Sequence, residues 1–367
     1  IEVDPNDRTT AISEPFMIKG WTHFTFPGRN KQYNDFEWHW YHFTGTDFDA
    51  KSRRSGIYLI QGDNKGWAND ELVDSENGNY DYLMYADLDF KHPDVIKNLY
   101  DWARWFIETT GIQGFRLDAV KHIDSFFMAN FIRDILQEYG DDFYVFGEFW
   151  NNDEAANNDY LENIDYRFDL VDVKLHTNLF EASQKGDEFD LRTIFDHTLV
   201  KNHPESAVTF VENHDTQRGQ ALESTVEEWF KPAAYALILL RESGLPCIFY
   251  GDYYGINGEF AQQDFREEID KLLDLRLNLA YGEETDYFDD PNCIGWTRAG
   301  QEGSQPIAVL ISNATSTSKR MYFGQDWSGH ECSDYLGNCQ TIVTIDEEGW
   351  GEFPVEEQSV SVWSIKN

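Results

Sequence analysis

The sequence predicts an α/β protein: a parallel sheet of strand–helix units, with a β-rich segment before it and an antiparallel β-domain after it. Between about Lys91 and Gly251, short apolar runs alternate with longer amphipathic stretches. That alternation is typical of repeated strand–helix units. Three of the predicted strands end in carboxylates, an arrangement that is typical of the active-site face of a parallel barrel.

Composition divides the chain into residues 1–90, 91–282 and 283–367. The first segment is rich in Trp, Tyr, His, Asn and Asp and has little periodicity, so we expect loops and short strands there. The last segment consists of short apolar runs separated by Gly, Asn and Ser, which predicts a separate antiparallel β-domain.

The middle segment begins with a helix whose apolar residues Val95, Ile96 and Leu99 recur at helical spacing. Pro93 suits its first turn, and Gly111 can end it. Five strands are predicted after this helix, each followed by helical sequence: "GFRLD", "FYVFGEFW", "YRFDLVDVKL", "AVTFVENHD" and "PCIFYG".

Acidic residues outnumber basic ones by 67 to 29, which gives a formal net charge of -38. Such a surface repels phosphate backbones and anionic lipid, so we expect neither a nucleic-acid partner nor a membrane partner. It suits a neutral or cationic ligand, including metal ions. Solubility or adaptation to salty or acidic surroundings explains the same charge equally well.

The four cysteines are too few for a disulfide framework. Cys332 and Cys339 flank a predicted turn and could form one local bridge, which would favour an extracellular location. Cys247 stands in an apolar run and is expected to be a buried thiol.

The carboxylates at the three strand ends are Asp118, Glu148 and Asp215. A strand-terminal Asp often caps the following helix, but two facing carboxylates are also what glycosidic bond cleavage needs. The segments "GFRLDAVKH", "FGEFW" and "FVENHD" resemble three ordered signature segments of the α-amylase family of glycoside hydrolases. Similarity to the liquefying α-amylases continues in "WTHFTFPGR", "FEWHWYHF", "NGNYDYLMYADLD" and "EGWGEF" and covers essentially the whole chain.

The resemblance implies a (β/α)8 TIM barrel, of which about five of the eight strands are present in this chain. It places an inserted β-rich domain in residues 1–90 and a C-terminal β-sandwich in residues 283–367. The first three barrel strands are not part of the sequence, so we expect a separate or omitted N-terminal segment to complete the barrel. Otherwise a monomer is expected.

The resemblance also implies an endo-acting, retaining hydrolase of α-1,4-glucosidic bonds in starch or malto-oligosaccharides. Asp118 would be the nucleophile, Glu148 a general acid with a raised pKa, and Asp215 a residue that favours the transition state. Arg116 would keep Asp118 ionised and oriented. Retention requires the two working carboxyl groups to lie about 5 to 5.5 Å apart. A glucan-transferring enzyme and an inactive glucan-binding fragment are the alternatives.

Further substrate contacts follow from the same resemblance. His214, Lys121 and His122 match residues that contact sugar in the family. Three aromatic residues are candidate stacking platforms for glucose rings: Trp150, Tyr80 and Tyr82.

A cluster of oxygen ligands precedes the first helix and suits Ca²⁺. Asp81, Asp87 and the backbone carbonyl of His122 match a calcium site of the related amylases, and Asp70 and Asp89 are additional candidates. Thr44 and Lys91 stand where relatives with further cations carry aspartates. We therefore expect a weakened second cation site, with Lys91 replacing one ion by a salt bridge.

Overall fold

The computed structural model describes residues 1–366 and divides the chain into two compact units. The first consists of Ile1–Asn151 and Ala155–Leu170, and the second of Asn152–Glu154 and the chain from Val171 onward. The predicted division at residues 90 and 282 is not tested by these units and stays a prediction. In the described part of the chain, none of the helices combines the length and the apolar character that a membrane crossing requires.

The first unit opens with a five-stranded antiparallel sheet, which agrees with the β-rich character expected of this segment. Its strands pair in the order β2-β1-β4-β3-β5. Val3, Phe43 and Tyr58 are buried residues of these strands. The strands are β1 (Glu2–Asp4), β2 (Asp7–Ala11), β3 (Phe43–Asp49), β4 (Arg54–Leu59) and β5 (Ala86–Leu88).

The strand–helix pattern then begins as predicted. Helix α1 starts after His92, whose ring accepts the N–H of Asp94, and it ends at Gly111, which has φ +70°. The elements of this part are α1 (Pro93–Thr110), β6 (Gly114–Leu117), α2 (Ser125–Tyr139), β7 (Tyr144–Gly147), α3 (Glu154–Asn163) and β8 (Asp169–Val171).

Strands β6 and β7 are parallel, and so are β7 and β8. Leu117, the last residue of β6, pairs with Gly147, the last residue of β7. The next residues along the chain are Asp118 and Glu148. The register of this pair therefore brings both carboxylates to the same end of the sheet.

The second unit continues the alternation with a parallel pair, β9 and β10. Its first elements are α4 (Val173–Lys185), α5 (Leu199–Asn202), β9 (Ala207–Phe210), α6 (Lys231–Leu239), β10 (Leu245–Cys247), α7 (Tyr250–Tyr254) and α8 (Arg266–Asn278). Cys247 is exposed, so its predicted burial is wrong. It ends β10, which is an edge strand among the described residues, and an edge strand is covered on one side only.

The end of the chain is antiparallel, as predicted. Six strands pair in the order β11-β12-β13-β18-β15-β16, and two more form the pair β14-β17. Trp363 and Leu310 of the larger sheet share a buried core with Phe353 and Met321 of the smaller one. The strands are β11 (Glu284–Asp290), β12 (Cys293–Arg298), β13 (Ile307–Ser312), β14 (Thr317–Tyr322), β15 (Glu331–Asp334), β16 (Val343–Thr344), β17 (Trp350–Val355) and β18 (Ser359–Ile365).

The predicted bridge between Cys332 and Cys339 is wrong, because both are free thiols. Each is buried in the apolar core that the two sheets share. Burial raises the pKa of the Cys332 thiol to about 12, as expected for a small apolar side chain in a core. The argument from this bridge for an extracellular location is therefore lost.

Candidate active site

One guanidinium contacts two carboxylates at the shared end of β6 and β7. Arg116 forms an ion pair with Asp118. Its other terminal nitrogen, Nη2, lies 3.2 Å from Oε1 of Glu148. The sequence predicted the first of these contacts and missed the second. The two carboxylates differ in access, since the Asp118 side chain is 75% exposed and that of Glu148 only 9%.

The backbone holds Glu148 in this position. Its Oε2 accepts the N–H of Ala119 at 3.1 Å. Its own N–H donates to the Leu117 carbonyl at 2.8 Å, and its carbonyl accepts the N–H of Val120 at 3.0 Å. Ala119 adopts a left-handed conformation with φ +51°, which turns the chain directly after Asp118. A fixed, buried carboxyl group thus stands beside an accessible one.

In the second unit, a tight turn after β9 presents Asp215. The Asn213 side chain accepts the N–H groups of Asp215 at 2.9 Å and of Thr216 at 3.0 Å. His214 lies with its Nε2 3.3 Å from Oδ2 of Asp215. The histidine is exposed and the aspartate is partly exposed. An Asn that closes the turn through its own side chain is a common way to fix such a segment.

A buried ion cluster that the sequence did not predict adjoins this turn along the chain. The ammonium of Lys231 lies 2.5 Å from Glu212 and also contacts Asp252, and the side chains of all three residues are fully buried. Tyr235 donates its hydroxyl to Asp252 at 2.6 Å. Burial raises the pKa of Glu212 to about 7, opposed by the nearby ammonium. Glu212 stands three residues before Asp215, so the cluster anchors the start of that turn.

Lys121 and His122, which follow Asp118 in the chain, make polar contacts with Glu76 and Tyr80 in the first unit. Lys121 forms an ion pair with Glu76 at 2.9 Å, and its Nζ lies 4.7 Å from the centre of the Tyr80 ring. Nδ1 of His122 lies 2.7 Å from the carbonyl oxygen of Tyr80. Burial lowers the pKa of His122 to about 4, so the ring is neutral near pH 7.

The three candidate stacking platforms differ in access. Tyr82 is buried and its ring packs near Trp67, at 6.0 Å between ring centres, which favours a core role over sugar stacking. Tyr80 is partly exposed, but Arg8, Lys121 and His122 surround its ring. Trp150 is partly exposed.

The predicted metal ligands include two acids with strongly perturbed pKa values. Burial raises the pKa of Asp81 to about 7, although its Oδ2 accepts the N–H of Ala68 at 2.8 Å. Burial, and then the charge of Asp81, raise the pKa of Asp87 well above its usual range. Thr44 donates its hydroxyl to Asp87. A buried and a partly buried acid that repel one another are a donor set that fits a calcium ion.

The predicted salt bridge of Lys91 is not the one that the structure contains. Lys65, which the sequence analysis did not single out, lies 2.5 Å from Asp89, with both side chains nearly buried. The Lys91 ammonium instead donates to the carbonyl oxygen of Trp67 at 2.9 Å. Asp70 accepts the side-chain amide of Asn79 at 2.8 Å. A protein cation thus neutralises Asp89, but it comes from the loop after β4.

Comparisons with known proteins match this chain to a family. The family model described as "Alpha amylase, catalytic domain" matches residues 19–303, and the one described as "Alpha-amylase C-terminal" matches residues 307–364. The chain is 46% identical to an α-amylase of Geobacillus stearothermophilus over 99% of its length. It is likewise 46% identical, over its whole length, to a glucan 1,4-alpha-maltohexaosidase of Bacillus sp. strain 707.

A cytoplasmic α-amylase of Escherichia coli K12 is 39% identical over 99% of the chain. The chain spans 66%, 71% and 75% of the lengths of these three relatives. Among solved structures, an Anoxybacillus α-amylase shares the fold with a TM-score of 0.63 at 22% identity, over 82% of this chain and 70% of that one. An α-amylase of Geobacillus thermoleovorans gives 0.60 at 23% identity, over 82% and 71%.

Proposed function

The chain belongs to the α-amylase family of glycoside hydrolases, and from this premise we propose that it cleaves internal α-1,4-glucosidic bonds of starch with retention of configuration. The observation that carries the proposal is the pair Asp118 and Glu148 at the shared end of two parallel strands, with Arg116 in contact with both. Two carboxyl groups in such a position are the minimum that this reaction requires.

The difference in access between the two carboxylates supports their roles. Glu148 donates a proton to the glycosidic oxygen while Asp118 attacks the anomeric carbon, and the bond to the leaving glucan breaks. Glu148 then removes a proton from water, which attacks the same carbon and releases Asp118 as a carboxylate. The exposed Asp118 suits a nucleophile, and the buried Glu148, held by a backbone N–H, suits an acid of fixed orientation.

The remaining substrate contacts follow from the match to the family. Asp215 and His214 would hold sugar hydroxyl groups. Lys121 and His122 would lie towards the leaving group. Trp150 and Tyr80 remain candidates for ring stacking.

Release of reducing sugar from soluble starch tests this function. The Glu148→Gln variant keeps the shape of the side chain but cannot donate the proton, so we expect activity to fall by about two to four orders of magnitude. Glu138→Gln is the matched control, because Glu138 also pairs with an arginine, Arg104 at 2.7 Å, but on the exposed side of two helices. Equal activity of the Glu148→Gln variant and the wild type would contradict the proposal.

The products distinguish hydrolysis from the alternatives. A glucan-transferring enzyme forms the same covalent intermediate but passes it to a sugar, so it lengthens or cyclises chains with little new reducing sugar. An inactive glucan-binding fragment would release none and would bind starch unchanged. The hydrolase produces shorter linear malto-oligosaccharides.

For calcium, we propose one ion held by Asp81, Asp87 and the carbonyl of His122. The support is the pair of acids with raised pKa values, of which Asp81 is buried and Asp87 partly buried. A bound Ca²⁺ would supply the positive charge that these carboxylates lack and would link them to the turn after Asp118. Because Lys65 already neutralises Asp89, we expect a single anomalous-scattering peak for calcium in this cluster. Two or more peaks would contradict the weakened second site.

Two further proposals concern a polypeptide segment that completes the barrel and the cellular location of the protein. A further polypeptide segment that completes the barrel, as a separate chain or otherwise, remains a prediction, as does the extracellular location. The relative from E. coli is named as cytoplasmic, and the cysteine argument for secretion is lost. Size measurement of the purified active species and fractionation of the producing cells address these two points.

A further inference from the structure

Two groups of imidazole and carboxylate side chains in the first unit lie outside the site described above. In each group, three potential ligand atoms lie within 4.8 Å of one another. We propose that one group, formed by His23, Glu37 and His39, is a binding site for Zn²⁺. The proposal does not depend on the amylase activity.

The backbone holds the three ligands on one face. Phe24 and Trp38 exchange both N–H···O hydrogen bonds, each 3.0 Å long, and so form an antiparallel bridge. His23 and His39 are the adjacent residues on the two sides of this bridge and stand opposite each other. Glu37 precedes His39 by two residues, so it lies on the same face of the segment as the two imidazoles.

The rings of His23 and His39 are stacked on one another. Because an imidazole binds a metal ion in the plane of its ring, the exposed His23 ring must rotate out of this stack to share an ion with His39. The centres of the His23 and His39 rings are 4.8 Å apart with an interplanar angle of 18°. The His39 ring also stacks on Tyr41, at 5.3 Å between ring centres. His23 and Glu37 are exposed and His39 is partly buried, so one ring is held while the other two ligands can rotate. Ligands about 2.0 Å from a tetrahedral zinc ion lie closer together than 4.8 Å, and such rotation closes the gap.

The donor atoms decide which metal fits. Two imidazoles and one carboxylate suit Zn²⁺ and neighbouring late transition metals, whereas Ca²⁺ and Mg²⁺ prefer oxygen ligands throughout. Three protein ligands leave the fourth position of a tetrahedral ion to water.

The second group, His42, His92 and Asp94, is less suited to bind a metal ion, because both of its imidazoles already accept backbone N–H groups. Nδ1 of His42 accepts the N–H of His39 at 3.0 Å, and Nδ1 of His92 accepts the N–H of Asp94 at 3.2 Å. A neutral imidazole that accepts a hydrogen bond at Nδ1 carries its proton on Nε2 and offers no lone pair there. In the proposed site the His39 side chain also accepts a backbone N–H, that of His42, and must give up this bond to bind zinc. The second group would have to give up two such bonds, so it serves as an internal comparison that should bind the metal more weakly.

The test is a calorimetric titration of the calcium-saturated protein with zinc chloride. We expect one equivalent of zinc to bind the wild type. Loss of one imidazole in His23→Gln or His39→Gln should weaken binding at least about tenfold, since even the loss of an indirect partner of a metal ligand costs that much. The His197→Gln variant is the matched control, because His197 is an exposed histidine that also lies near a glutamate, Glu154 at 2.7 Å, and it should bind zinc like the wild type.

Cobalt gives a second readout. Co²⁺ in place of Zn²⁺ should show the strong visible absorption of a four-coordinate ion in the wild type and in His197→Gln, and should lose it in His23→Gln. If His39→Gln does not fold, as judged by circular dichroism, the exposed His23 still decides the matter. Absence of zinc binding by the wild type, unchanged binding by both ligand variants, or loss of binding in His92→Gln alone would each overturn the proposal.

Discussion

Asp118 and Glu148 lie beside the guanidinium of Arg116 at the end of two strands, whereas Asp81 is buried, Asp87 is partly buried and both have raised pKa values. The first unit thus places carboxyl side chains in two different electrostatic environments. At the strand ends the protein supplies the opposite charge itself. At the other pair the main contribution is burial, and a bound cation would supply what is missing.

The second unit contains the extreme case of the first arrangement. Lys231 sits between two carboxylates with all three side chains fully buried. Burial nevertheless raises the pKa of Glu212 to about 7, so a cation of the protein offsets the effect of burial only in part. Each of the following experiments removes one of the compensating charges.

The largest effect is expected from removing the shared guanidinium. In Arg116→Met, Asp118 and Glu148 lose the group that orients them, and a small misplacement of reacting groups costs about a hundredfold in rate. Starch hydrolysis should fall by about that factor while calcium affinity, measured by calorimetry, stays the same. Loss of calcium binding together with activity would indicate a general structural defect and contradict the separation of the two pairs.

Removing the buried ammonium should reduce stability instead. Lys231→Met leaves two uncompensated buried carboxylates, and breaking such a pair costs about 3–5 kcal/mol of unfolding free energy. Denaturant unfolding measures this loss. Lys185→Met is the control, since Lys185 forms an exposed helical pair with Glu181 at 2.6 Å and its loss should cost less than about 0.5 kcal/mol. Equal losses of unfolding free energy in the two variants would show that burial does not determine how much each ion pair contributes to stability.

The smallest effect concerns pH. Because the folded pKa of Asp81 is about 7, well above the usual value, the folded state binds more protons than the unfolded state between about pH 4 and about pH 7. Without calcium, the contribution of Asp81 to the unfolding free energy should therefore fall as pH rises through this window, by at most a few kcal/mol, about 1.4 for each unit of pKa difference. Buried histidines such as His122, whose pKa is lowered to about 4, contribute in the opposite direction, so the Asp81 contribution is measured as the difference between the wild type and Asp81→Asn.

Calcium and a single substitution isolate this contribution. Saturating calcium holds the two acids as carboxylates and should remove much of this contribution. Asp81→Asn should remove the same contribution and weaken the stabilisation by calcium, which separates Asp81 from Glu212, whose pKa is also raised. The same change of unfolding free energy from about pH 4 to about pH 7 in the calcium-free wild type and in calcium-free Asp81→Asn would contradict the assignment.

The sequence predicted the parts of the structure that local patterns determine. Helix α1 follows from apolar spacing and its two end signals, and β6, β7 and β9 follow from short apolar runs that end before charged residues. The contact of Arg116 with Asp118 is local, because the two residues are two positions apart.

Long-range contacts were beyond such patterns. The ion pairs Lys65–Asp89 and Lys231–Glu212 join residues that are distant along the chain, so no spacing rule indicates them. The cysteine bridge was wrong for a related reason. Two cysteines that flank a turn can each point into a core, and their separation in the chain does not reveal this. The burial of Tyr82 likewise depends on packing in the folded state.

The central claim is that Asp118 and Glu148 form the working pair of a retaining hydrolase. Proton NMR of the first products from a soluble malto-oligosaccharide tests it directly, because it records the anomeric form before mutarotation. Two successive displacements at one carbon predict that the α-anomer appears first. Initial formation of the β-anomer would mean that water attacks directly, and would contradict the role of Asp118 as a nucleophile.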